Sequence, residues 1–100
     1  MQQITENNWH TVCQMPRAIV EFTAPWCGPC RKQRQMLSDL EGESGVASVW
    51  EVDVDENYKI ADEMSVKSVP TIVVMENGKE QKRFTGAQRK EVMQSVLMGV

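Results

Sequence analysis

A chain of 100 residues can form one compact domain with a single core and leaves no room for a second folding unit, so residues 1–100 are expected to be one domain. Apolar residues at 41% and charged residues at 25% are ordinary for a globular protein, and a net charge of −3 supplies no basic field to attract nucleic acid. No apolar run reaches membrane-spanning length, and Met1–Asn8 has neither the basic start nor the apolar stretch of a secretory signal, which points to a cytoplasmic protein away from membranes.

Thr5 or Asn7 can cap a first helix running to about Met15, with Trp9, Val12 and Cys13 on one face, and Pro16 stops it. Ala18 to Phe22 is a short, mostly apolar run of the kind that forms a parallel strand buried on both faces. Ala24-Pro25-Trp26 breaks that strand. From about Gly28 to Leu40 helix formers dominate, with Cys30, Gln33, Leu37 and Leu40 along one side. Gly42 to Gly45 reads as a loop, Val46 to Val54 as a second strand, and Tyr58 to Met64 as a short helix.

Val69 to Met75 reads as a strand announced by Pro70, and Asn77-Gly78 signals a tight hairpin turn into Lys79 to Thr85. Lys79, Glu80, Lys82 and Arg83 suit a charged sheet edge. After Gly86 a last helix through Met98 is expected to bury Val92, Met93, Val96 and Leu97. The order is βαβαβα followed by ββα, an α/β sandwich around a mixed sheet.

Three cysteines in a chain without a signal do not suggest a disulfide scaffold, although a mature chain already stripped of its signal reads the same way. Two of them, Cys27 and Cys30, are separated by two residues, a spacing that closes a small disulfide ring and reopens it without unfolding the chain. The thiolate is the reacting species, and a helix N-terminus with Arg31, Lys32 and Arg34 nearby should favour it at Cys27. Cys27, just before the helix, is expected to be the exposed nucleophile. Cys30, in its first turn, is expected to point inward as the resolving thiol.

The segment Glu21-Phe22-Thr23-Ala24-Pro25-Trp26-Cys27-Gly28-Pro29-Cys30 resembles the active-site segment of the thioredoxin family. The resemblance covers nearly the whole chain through Val52-Asp53-Val54-Asp55, Ser68-Val69-Pro70-Thr71, Asn77-Gly78 and Thr85-Gly86-Ala87, all in family order. It implies the thioredoxin fold, a central mixed five-stranded sheet flanked by four helices. It also implies that Pro70 is the cis-proline beside the dithiol, that the Val69 backbone pairs with an extended substrate, and that Trp26, Gly86 and Ala87 rim the groove. Gly28 and Pro29 match the motif between the cysteines, and Glu21 falls where most members place a buried aspartate that exchanges a proton with the resolving cysteine.

The activity this implies is reduction of protein disulfides by a monomer that binds no cofactor or metal. Its partners would be disulfide-containing proteins and a thioredoxin reductase that restores the dithiol with reducing equivalents from NADPH. The Gly-Pro dipeptide and the absent signal argue against an oxidant or isomerase. A rival of another class is a thioredoxin-like binding module that docks one partner through the Trp26/Pro70 groove.

Three positions depart from the family. Glu21 is one methylene longer than aspartate, and is either buried and proton-transferring or solvated at a strand end. Glu51 stands where some members carry lysine. It either points inward, where its repulsion would raise one of two coupled pKa values, or faces water. Gln35 replaces a common proline, so the usual helix kink is expected to weaken or vanish.

Other residues have plainer readings. A zinc half-site at Cys27 and Cys30 lacks a second ligand pair, since only His10 and Cys13 remain. Cys13 reads as a core thiol, His10 as solvent-exposed, and Trp50 with the seven methionines as mainly packing residues.

Overall fold

Strands rich in β-branched residues alternate here with helices that are apolar on one side, and such a chain buries both by layering helices on the two faces of a sheet. The computed structural model describes residues 1–44 and 48–99. The elements are β1 (Gln2–Gln3), α1 (Trp9–Cys13), β2 (Ala18–Thr23), α2 (Gly28–Ser44), β3 (Ser48–Asp53), α3 (Tyr58–Glu63), β4 (Thr71–Glu76), β5 (Lys79–Thr85) and α4 (Lys90–Leu97). The sheet order is β1-β3-β2-β4-β5, with β1, β3 and β2 parallel and β4 and β5 each antiparallel to its inner neighbour. This is the mixed five-stranded sheet with four helices that the resemblance implies.

Side chains alternate across a strand, so β2 feeds two cores. Ala18, Val20 and Phe22 join Trp9, Val12, Val52 and Ile60 on the α1/α3 side, where Phe22 meets Trp9 edge to face at 6.4 Å. Ile19 joins Leu37, Leu40, Val49, Ile72, Met93 and Leu97 on the α2/α4 side. Glu21 is in phase with Ile19, so a carboxyl occupies a place where the pattern calls for an apolar side chain.

Several boundaries differ from the sequence reading. α1 starts only at Trp9 because Thr5 to Asn8 close turns on their own side chains: Asn7 N donates to Thr5 Oγ1 and Thr5 N to Asn8 Oδ1. α2 continues past Leu40 through Gly42 to Ser44. Glu41 anchors this extension, accepting the Val49 N–H at 2.8 Å and pairing with the Met1 amino group at 3.4 Å. The expected loop end at Gly45 and strand start at Val46 lie outside the described residues.

β3 ends at Asp53 rather than Val54, because Asp53 Oδ1 accepts the Asp55 N–H and turns the chain. β4 starts at Thr71, not Val69: Pro70 has no N–H for a ladder, and Thr71 Oγ1 donates back to Ser68 O. The Asn77-Gly78 turn has positive φ at both residues, as a two-residue hairpin of the right twist requires. Val92 is half-buried and Met98, past the end of α4, is exposed; of the other methionines Met75 and Met93 are buried and the rest half-buried.

Candidate functional site

β2 and β3 are parallel, and the cysteines lie just beyond the carboxyl end of β2, where an α/β sheet leaves a crevice. The chain turns through Ala24, Pro25 and Trp26, and the Cys27 N–H closes the turn on Ala24 O at 3.1 Å. α2 then begins at Gly28. Pro29 fits because N–H groups in a first helical turn have no intrahelical acceptor. Cys27 and Cys30 form a disulfide with Cα atoms 5.3 Å apart, and the Cys30 N–H donates to Cys27 Sγ at 3.2 Å.

Cys27 is not the exposed residue the sequence suggested. It is 5% exposed and Cys30 0%. Ala24 joins the two cysteines in a small apolar cluster, with Val54 and Val69 packed against it from two other loops. The order of access is the expected one, with Cys27 outermost, but solvent meets only an edge of it.

In front of the disulfide, the Val69–Pro70 peptide is cis, and the Gly86 N–H donates to Pro70 O at 2.8 Å. Gly86 adopts φ +87°, a conformation that glycine reaches without a Cβ penalty. Trp26 is 69% exposed, with Nε1 donating to Asp55 Oδ2 at 3.0 Å. Two hollows flank the cysteines. One of ≈ 120 Å3 runs from Trp26 past Val54 and Val66 to Val69. The other, of ≈ 460 Å3, is lined by Gly28, Pro29, Lys32, Met36 and Ala87. Val69 thus packs against the cysteine cluster and shares one hollow with Trp26, Ala87 lines the other, and Gly86 is tied to Pro70 by its hydrogen bond.

Behind the disulfide, both carboxyl groups point inward. Glu21 is fully buried, and neither of its oxygens has a hydrogen-bond partner among the described residues. Burial, then the nearby Glu51 charge, pushes its pKa up to about 8, while Arg34 opposes the rise. Glu51 is also buried, with Arg34 Nε 2.8 Å from its Oε2 and Gln3 Nε2 donating to its Oε1. Neither glutamate faces water. α2 runs unbroken through Gln35, whose Nε2 donates to Asp39 Oδ1 one turn later.

Two of the three cations near Cys27 have other partners. Arg31 donates to Pro25 O at 3.0 Å and Arg34 pairs with Glu51, while the Cys30 N–H of the first turn is the donor in direct contact with Cys27 Sγ. Cys13 is a free, buried thiol whose pKa burial, then Glu63, raises to about 11, so it is inert near neutrality. His10 is exposed on α1. Among the described residues no cluster of three or more His, Cys, Asp or Glu side chains could hold a metal ion.

Sequence reasoning placed Arg34 near Cys27 but missed its pairing with Glu51, and it missed Gln3 and Asp55 as site residues, and with them Gln33, whose Oε1 accepts the Gln88 N–H at 2.6 Å and so ties α2 to the loop of Gly86 and Ala87. Arg34 alone carried a readable signal. It follows Cys30 by four residues and so shares its side of α2.

The family model described as Thioredoxin matches residues 1–98. A thioredoxin of Staphylococcus haemolyticus is 35% identical over 96 residues, covering 95% of this chain and 92% of that protein. Among solved structures, a mutant thioredoxin from Halobacterium salinarum superposes with TM-score 0.89 at 25% identity, covering 98% of this chain and 88% of that one. The thioredoxin of Plasmodium falciparum superposes with TM-score 0.90 at 23% identity, covering 99% and 98%, a likeness of fold.

Proposed function

The chain belongs to the thioredoxin family and is a thiol–disulfide oxidoreductase, and from that premise we propose that it reduces protein disulfides with Cys27 as nucleophile and Cys30 as resolving thiol. The Cys27 thiolate attacks one sulfur of a substrate disulfide, forming a mixed disulfide and releasing the other substrate sulfur as a thiolate that takes up a proton. Cys30 gives up its proton and attacks Cys27 Sγ, releasing the second substrate thiol and closing the Cys27–Cys30 disulfide. Two electrons pass to the substrate in each cycle.

The observation that carries this reading is the disulfide at the start of α2 with Cys27 as its only solvent-touched member. The Cys30 N–H aimed at Cys27 Sγ supports the assignment, because it stabilises a thiolate there. Glu21 is the proton acceptor for Cys30: a carboxyl with a pKa of about 8 exchanges protons readily near neutrality. Trp26, the Val69 backbone, Pro70, Gly86 and Ala87 seat the substrate segment, and Gly28 with Pro29 shapes the turn between the cysteines.

The dithiol is restored by a thioredoxin reductase drawing on NADPH, with no cofactor held by this chain. The protein acts as a monomer of one domain, residues 1–100, in the cytoplasm. The test is insulin reduction coupled to NADPH and a thioredoxin reductase. Cys27→Ser should abolish turnover and Cys30→Ser should accumulate the mixed disulfide; a Cys27→Ser protein as active as the parent would refute the assignment.

A further inference from the structure

Two carboxyl groups share the layer behind the disulfide, and only one of them is paired. Glu21 and Glu51 are directly opposite in the parallel register of β2 and β3, so both project to the sheet face that α2 covers. Arg34 reaches Glu51 from α2 at 2.8 Å and Gln3 reaches it from β1, while Glu21 has no hydrogen-bond partner among the described residues. On the β4 side Glu21 faces Ile72, which carries no charge.

A cleft of ≈ 230 Å3 opens beside this pair, lined in part by Gln3, Arg31, Arg34, Glu51 and Asp53. Glu51 borders the cleft and Glu21 does not, so Glu51 is the carboxyl nearer water. Arg34 is the partner held at the surface, its side chain 55% exposed while Glu51 is 3% exposed. An arginine half in solvent can leave a carboxylate that cannot follow it.

We propose that Arg34 and Glu51 form a charge latch on Glu21, a pair of positioning residues that sets when Glu21 can take the proton of Cys30. With the ion pair closed, the Arg34 charge offsets that of Glu51, and Glu21 can exist as the carboxylate that resolution needs. With Arg34 withdrawn, the bare Glu51 charge holds the proton on Glu21 more tightly, and a smaller fraction of Glu21 is ready to accept from Cys30. The opposing influences of Glu51 and Arg34 on Glu21 agree with this geometry. The proposal rests on Glu21 being that acceptor.

Two readouts on the full chain separate the latch from the reading beneath it. Carbon-13 NMR of the Glu21 carboxyl in the reduced protein follows its protonation directly, and single-turnover kinetics give the pH profile of resolution. Arg34→Gln should move the NMR midpoint up and Glu51→Gln should move it down, each by about one pH unit, or about tenfold in the ionised fraction below the midpoint. The double variant should return to within about half a unit of the parent, because both opposing charges are gone. Arg34→Lys, which keeps the charge, should leave the midpoint near the parent's and guards against a merely structural effect of losing Arg34. Single variants that shift the midpoint in the same direction, or leave it in place, overturn the latch. A Glu21→Gln protein with an unchanged kinetic pH profile overturns the acceptor role of Glu21 instead, and the NMR titration still decides the latch.

Discussion

The two sides of the Cys27–Cys30 disulfide are built by different means. In front, Trp26, Val69, Pro70, Gly86 and Ala87 present backbone shape and apolar surface on loops, held by single hydrogen bonds such as Gly86 N to Pro70 O. Behind, Glu21 and Glu51 place charge within a packed layer of sheet and helix, and Arg34 and Gln3 reach Glu51 from the rim of that layer. Most surface contacts are worth little alone, and a few large side chains such as an exposed tryptophan carry the binding. Buried charges act on one another in a medium that screens poorly, so one altered side chain moves a proton equilibrium. The front should therefore govern which disulfides bind, and the back how the second thiol exchange depends on pH.

The largest expected effect is on the back. Glu21→Gln keeps the shape but removes the proton acceptor, and should slow resolution by Cys30 by about 10²-fold or more while leaving attack by Cys27 within about threefold. Rapid-mixing kinetics that resolve the two steps would show it. Equal slowing of both would break the division between front and back.

Stability gives a second handle on the same residue. Glu21 has a pKa of about 8 in the folded chain against an ordinary 4.5, so between these values the folded protein keeps a proton that the unfolded chain has lost. Stability from this group therefore falls as pH rises through that window, and the loss is complete only above about 8. Glu21→Leu removes the titration and an unpaired buried carboxyl. Its advantage over the parent in chemical denaturation, with the disulfide intact, should widen by on the order of a few kcal/mol from about pH 5 to about pH 9. A constant gap across that range would mean that Glu21 titrates normally.

What could be read from the sequence divides along the same line. β2, α2, the Asn77-Gly78 hairpin and the cysteine spacing are written in consecutive residues, where periodicity and turn chemistry act locally. The burial of Cys27 was not legible, because Val54 and Val69 that cover it come from two distant loops. The Arg34–Glu51 pair was not legible either: it requires the register that sets Glu51 beside Glu21 and a helix crossing that brings Arg34 over both. Gly42 misled for a local reason. Glycine reads as a loop, yet Glu41 beside it holds α2 through contacts with Met1 and Val49, far off in the chain or across the connection.

On the front, Trp26 is the largest exposed surface, and it should matter for substrates rather than for the fold. Trp26→Ala should raise KM for protein disulfides by about tenfold and leave a small aromatic disulfide within about twofold, since only a protein substrate extends across the indole. Equal losses on both substrates would place the indole in the chemistry instead of the docking.

Asp55 gives the smallest and finest separation. Its carboxylate accepts the Trp26 Nε1–H at 3.0 Å in an exposed setting, where one hydrogen bond contributes about 1 kcal/mol. Asp55→Ala should therefore raise KM for protein disulfides by about threefold, with kcat and the Glu21 titration unchanged, because Asp55 is not among the groups that shift Glu21. If instead it costs as much as Trp26→Ala, substrates read the orientation of the indole more than its area, and the front of the site depends on pre-set geometry as strongly as the back depends on charge.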